Sequence, residues 1–180
     1  TRVDFNSLSM GTGTQYVLYT QYNGNYYAIT SNASEKIGRA HPVKVNSNGI
    51  ISWENADNGI FWSFAYENNG HIVQNFGSGK YLHAFNSSNT DYGTTTTGRY
   101  NITLTRQYDG SFIAKGNGEY YTGIAVDSNG NITFNRVYGN SQATRFYLAR
   151  VGDFYNVWFD GTNGGMMSYY GADNLNLPVV

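Results

Sequence analysis

An all-β fold is predicted by three observations: a composition suited to half-buried strands and tight turns, short apolar alternations of period two, and a pattern that recurs three times. The 180 residues suffice for one domain with a sizeable core. Charged residues are only 13 %, against about 25 % in an ordinary globular chain. Tyr (17), Gly (22), and Asn about as frequent as Gly fit aromatic-rich strands joined by hydrogen-bonded turns. No stretch shows sustained helical periodicity.

The repeat justifies the elements in order. Segments 17–27, 72–82 and 111–121 superpose without a gap as strand, turn and strand. Leu18, Val73 and Phe112 coincide, as do Gly24, Gly79 and Gly118, and then Tyr26, Tyr81 and Tyr120. The glycine is the turn residue that tolerates positive φ, and the tyrosine opens the second strand facing inward. Downstream, Trp62-Ser63-Phe64, Ile102-Thr103-Leu104 and Phe146-Tyr147-Leu148 each read large-x-large, a half-buried strand. Segments 45–53 and 126–134 each carry Asn-Gly between apolar runs, a hairpin signal in the outer two units. Three copies of four strands make twelve strands over residues 14–151, in units of about 40–55 residues. That count predicts a β-trefoil, since a propeller would need more blades. The expected organisation is an N-terminal lead-in (1–13), a trefoil domain (14–151) and a C-terminal extension or the start of a following domain (152–180).

The third unit, Glu119-Tyr120-Tyr121 through Asp127-Ser128-Asn129-Gly130-Asn131-Ile132-Thr133-Phe134 to Arg145-Phe146-Tyr147-Leu148, resembles a unit of the fascin-like β-trefoils. Gly79-Lys80-Tyr81-Leu82 fits the same pattern. The resemblance covers about three quarters of the chain, and its motifs are structural, so they imply a fold more than a function. The aromatic and turn-rich stretch 154–165 resembles linker segments in modular surface proteins of Gram-positive bacteria. It implies an extracellular module, secreted or at the cell surface; a tail strand packed on the barrel is the other reading. Beginning at Thr1 and ending Leu-Pro-Val-Val, the chain is expected to be a piece of a longer one.

Several function classes are disfavoured. The net charge of −1 and singly scattered Lys and Arg argue against nucleic acid and anionic membranes as partners. No apolar run approaches the ~20 residues of a membrane span, and without cysteine there is neither a disulfide scaffold nor thiol chemistry. His41, His71 and His83 stand apart from one another, and no pair of acids is singled out, so no catalytic centre, metal or cofactor is expected. His41 precedes a proline and reads as loop; His71 and His83 read as strand. In Asp127–Asn131 the glycine falls early for a calcium loop and no Glu closes it, so it reads as a hairpin turn. Of four Asn-x-Ser/Thr triplets, at Asn32, Asn86, Asn101 and Asn131, that at Asn101 lies in an apolar strand run, against glycosylation there.

Binding remains. Sugar recognition needs an aromatic face for the ring's C–H surface and polar groups for its hydroxyls, held on a rigid scaffold. Two loops supply both. The first, Trp53 to Gly59, offers Glu54 and Asp57. The second, His83 to Arg99, offers His83, Asn86, Asn89, Asp91, Tyr92 and Arg99, and is the longest departure from the repeat. Trp53 aligns with Phe134 and reads as core, and the Thr run 94–97 reads also as an irregular third strand. Ricin-type trefoil lectins carry Gln-x-Trp, but Phe61-Trp62-Ser63 stands here, so their sites do not transfer. Nor does the fascins' actin bundling, which uses basic surfaces. The expectation is a non-catalytic, lectin-like module for a carbohydrate or glycoprotein glycan. The alternative is an adhesin or inhibitor domain gripping a host protein.

Overall fold

In the computed structural model, residues 2–34, 37–55, 58–83, 95–96, 101–116 and 120–153 are described. They form β1 (Arg2–Val3), a 3-10 turn (Phe5–Ser7), β2 (Gly11–Tyr22), β3 (Asn25–Ser34), β4 (Ile37–Val45) and β5 (Ile51–Trp53). Then come β6 (Phe61–Glu67), β7 (Gly70–Asn75), β8 (Tyr81–Leu82), β9 (Thr95–Thr96) and β10 (Thr103–Arg106). The third unit holds β11 (Phe112–Lys115), β12 (Tyr120–Val126), β13 (Ile132–Tyr138) and β14 (Tyr147–Asp153).

Six strands close a barrel. β2 pairs β6, β6 pairs β7, and a bridge between His71 and Ile102 joins β7 to the start of β10. β10 pairs β11, a bridge between Phe112 and Phe146 joins β11 to β14, and β14 returns to β2. Each repeat thus gives its first and last strand to the barrel, and closure leaves these strands no open edge. Their inward residues are those the repeat aligned. Leu18, Val73 and Phe112, then Trp62, Phe64, Ile102, Leu104, Phe146 and Leu148, share one buried cluster. Phe112 stacks on Phe146 with centroids 5.6 Å apart, and Phe146 meets Phe134 at 5.6 Å. Ring pairs of this kind add about 0.5–1.5 kcal/mol each beyond burial. The Trp62 indole N–H donates to the Ile29 carbonyl at 3.1 Å, which satisfies the one polar atom of a fully buried side chain.

The turns follow their residues. Asn23-Gly24 joins β2 to β3 with φ of 48° and 81°, a left-handed pair that Asn and Gly tolerate best. The glycine of the second repeat is likewise left-handed, whereas Gly118 lies outside the described residues. At 46–50 and 127–131 the chain makes the same turn twice. Asn46 Oδ1 accepts from the amides of Asn48 and Ile50, and Asp127 Oδ1 from those of Asn129 and Asn131. The Asp127 segment is therefore the hairpin turn the sequence suggested.

Residues 2–8 of the lead-in dock on the barrel. β1 pairs β14, and Val3, Phe5 and Leu8 pack on the main core. Phe5 meets Phe112 at 5.3 Å and His71 at 5.4 Å, and burial pushes the His71 imidazole below its ordinary value. Asp4 binds Arg106 through two side-chain hydrogen bonds. This pairing, with the Asn6 amide, holds Asp4 down at about 2.

The first unit departs from the others. Between Tyr26 and Val45 it holds nineteen steps of chain where the third unit has six between Tyr120 and Val126. The surplus builds β4, which pairs β3, β5 and, at Arg39 and Gly38, β13. His41 and Pro42 therefore lie on a strand, which corrects their reading as loop. Pro42 stands one step before pairing with β5 starts at Val43, a strand margin that tolerates a missing N–H. The β3–β4–β5 sheet covers the outward face of β2, so Tyr16 to Thr20 are all buried. Beneath it a second core gathers Val17, Tyr19, Val43, Ile51, Phe61 and Val151.

Candidate functional site

The extra sheet of the first unit borders a cleft of about 660 Å³. Tyr26 and Tyr27 enter it from β3, His41, Pro42, Val43 and Lys44 from β4, and Trp53 from the end of β5, followed by Glu54 and Asn55. Cross-strand pairing sets these positions: Tyr26 lies opposite Val43, Val43 opposite Trp53, and Tyr27 opposite Pro42. Tyr26, Tyr27 and Trp53 are half-buried, while Asn25, Lys44, Ser52, Glu54 and Asn55 are exposed. Half-buried aromatic residues thus border the cleft beside exposed residues with hydrogen-bonding groups.

Three contacts stiffen the cleft. Trp53 packs edge-to-face on Phe61 at 5.5 Å, and Tyr26 on Tyr19 at 6.0 Å. The His41 Nε2 lies 2.8 Å from the Glu54 carbonyl oxygen. A carbonyl only accepts, so Nε2 carries the proton, and in the neutral ring Nδ1 is left as an acceptor. Asn55, next to Glu54, holds φ of 57°, a left-handed conformation that asparagine supports better than most residues. Lys44 and Glu54 bring one charge of each sign, so the cleft has no net charge from its Lys, Arg, Asp and Glu side chains.

Of the residues singled out in the sequence, Glu54 borders this cleft. His83 is 2 % exposed at the end of β8. Asp57, Asn86, Asn89, Asp91, Tyr92 and Arg99 lie outside the described residues. Thr95 and Thr96 of the Thr run do pair with β8 as a third strand. Trp53, read as core, is half-buried: it packs on the second core and also borders the cleft. Sequence reasoning missed Tyr26, Tyr27 and His41 as cleft residues. The available signal was the surplus chain between Tyr26 and Val45, where the first unit outgrows the third.

Asp109 and Asp127 have structural duties. Asp109 accepts from the Ser111 hydroxyl and amide and, at 3.2 Å, from the Tyr147 hydroxyl, with Arg2 and Arg145 at 3.8 and 3.9 Å. Burial pushes its carboxyl up, but these donors and cations outweigh it and leave the group below its ordinary value. Asp127 is lowered chiefly by the Asn131 amide. A general acid at neutral pH needs the opposite shift. Among the described residues no three His, Asp or Glu side chains converge as a metal site, and no helix is long and apolar enough to cross a membrane.

No protein-family model matches the chain, and no curated protein does. Among solved structures it is similar to a protein described as BEL beta-trefoil, in an apo crystal form. The match has a TM-score of 0.52 at 15 % identity and spans 82 % of this chain and 100 % of the other. The fold is a β-trefoil. On this trefoil the cleft belongs to the first unit, the one whose second hairpin has been enlarged.

Proposed function

We propose that this β-trefoil is a non-catalytic carbohydrate-binding module of an extracellular bacterial protein, secreted or at the cell surface, resembling the fascin-like trefoils. The observation that carries the reading is the first-unit cleft. Its Tyr26 and Trp53, set on one face by their shared partner Val43, suit the C–H face of a pyranose, and Asn25, Asn55, Ser52 and Glu54 suit its hydroxyls. Rings half-buried on paired strands lose little freedom on binding, which lowers the entropic cost of reversible stacking. A neutral glycan fits better than a charged one, because Lys44 and Glu54 offset each other. The Asn86–Arg99 segment, with Asn86, Asn89, Asp91, Tyr92 and Arg99, is proposed as a second contact loop, and His83 as its anchor.

Binding of the purified chain to a broad glycan array tests this. Binding to a neutral glycan that weakens about tenfold in Trp53→Ala, with the fold retained, would support the module and place its site. An array silent across mucin, plant and bacterial glycans would sink the sugar reading and favour an adhesin for a host protein, sought next by pull-down.

A further inference from the structure

Tyr108 is 82 % exposed, the most open aromatic residue among the described ones. It stands at the tip of the β10–β11 hairpin, in a turn that the Gly110 amide closes by donating to the Gln107 carbonyl at 3.0 Å. The Arg145 guanidinium lies over its ring, 4.8 Å from the centre. Arg2, from β1, lies likewise over the Tyr147 ring at 4.2 Å. At these distances the negative face of each ring holds its cation. Asp109 sits between the two, its Oδ2 3.8 Å from Arg2 and 3.9 Å from Arg145. The lead-in, the hairpin tip and the approach to β14 thus build one surface from parts distant in sequence.

This surface has positive charge to spare. Nearby, Asp4 and Arg106 neutralise each other through their two hydrogen bonds. That leaves two guanidiniums against the single carboxylate of Asp109. The carboxylate is satisfied without them: Oδ1 accepts from the Ser111 amide and hydroxyl, and Oδ2 from the Tyr147 hydroxyl at 3.2 Å. Both guanidiniums stand beyond the reach of a direct hydrogen bond to Oδ2, about 3.2 Å. Arg2 Nη2 donates instead to the Asp109 backbone carbonyl. A guanidinium carries N–H groups on each of its nitrogens, so both arginines keep donors for a further acceptor. Their side chains are 39 % and 40 % exposed, open to a group arriving from solvent.

The acceptor that matches a guanidinium fork is a carboxylate, two oxygens against two N–H groups. The open Tyr108 ring adds a face for C–H groups. A hexuronic acid carries its carboxylate and its C–H face on one rigid ring. An acidic peptide side chain brings the carboxylate without that face. One surplus cation is too little for nucleic acid, whose affinity comes from many neutralised phosphates.

We propose that Tyr108, Arg2 and Arg145 form a second binding surface, which takes the carboxylate of a uronic acid residue in an acidic glycan. It shares no residue with the first-unit cleft and stands whether or not that cleft binds glycans. The rings hold both guanidiniums in place beforehand, which lowers the entropic cost of binding.

The test is titration of the full chain with trigalacturonic acid and with methyl galactopyranoside, its neutral counterpart, followed by NMR at the Tyr108, Asp109 and Gly110 backbone amides. Saturable shifts at these amides are expected with the acid and none with the neutral sugar. Affinity should fall about tenfold in Arg145→Gln, the factor one charge-assisted hydrogen bond supplies. Arg145→Lys, which keeps the charge and loses the fork, should fall in between. Raising sodium chloride from about 0.05 to about 0.5 M should weaken binding several-fold, since exposed charges are screened. Should Arg145→Gln fail to fold, Tyr108→Ala, made at an exposed ring, carries the test with a few-fold loss. Absence of saturable shifts with the acid, equal shifts with the neutral sugar, shifts confined to Tyr26 and Trp53, or unchanged affinity in the folded variants would overturn the surface. Tighter binding of triglutamate than of the sugar acid would overturn the glycan and point to an acidic protein.

Discussion

The first and third units start from one plan and end with different surfaces. Both carry the same side-chain-closed turn, built on Asn46 in one and Asp127 in the other. In the third unit Phe134 is fully buried in the main core, and Tyr120 packs edge-on against Tyr138, with the Arg136 guanidinium 4.8 Å from its ring centre. In the first unit the aligned Trp53 and Tyr26 are half-buried over a second core, and both border a cleft. The difference comes from the inserted β4. A hairpin that only caps the barrel spends its aromatic residues on the core. A hairpin widened by another strand has core beneath it and ring surface to spare.

The largest expected effect separates these two roles. Phe134→Ala should cost about 3–5 kcal/mol of stability and Trp53→Ala clearly less, both read by urea unfolding. Equal losses would mean that Trp53 is a core residue like its counterpart. Next comes binding: a glycan retained by the chain should lose about tenfold affinity in Trp53→Ala and none in Tyr138→Ala, measured by calorimetry. A loss in Tyr138→Ala alone would transfer the site to the third unit.

The shared turn offers a finer comparison. Asn46→Ala should cost about 1 kcal/mol, the net worth of the hydrogen bonds its side chain accepts. The smallest effect is in acid. The folded-state value of Asp127 lies below its unfolded value of 3.8, because the Asn131 and Asn129 amides and Arg39 favour the carboxylate. Its contribution is therefore complete above pH about 4 and lost as pH falls through the lowered value. Asp4, held at about 2 by Arg106, adds to the same loss between pH about 4 and 2. Unfolding measured across that range should show a shallower acid slope for Asp127→Asn than for the unmodified chain, whereas Asn46→Asp should steepen it.

What the sequence revealed and what it hid follow from the same physics. Leu18, Val73 and Phe112 were legible because three barrel strands impose one environment on one register position. Glycine at the repeat's turn was legible because positive φ restricts the choice of residue. The cleft was largely hidden. Pro42 suggested a loop, since a proline's missing N–H is tolerated only at a strand margin, and that margin exists only because β5 ends one step away, opposite Val43. Trp53 aligned with a core residue, and nothing local shows that β4 shifts it to a half-exposed place.

The most direct test of the account is a two-dimensional NMR titration of the whole chain with a glycan retained on the array. The account predicts saturable movement of the Trp53 indole N–H and the Tyr26 and Tyr27 amides, while the buried Trp62 indole, bonded to Ile29, stays still. Saturable movement at Tyr120, Arg136 and Tyr138, with the first unit unchanged, would contradict it.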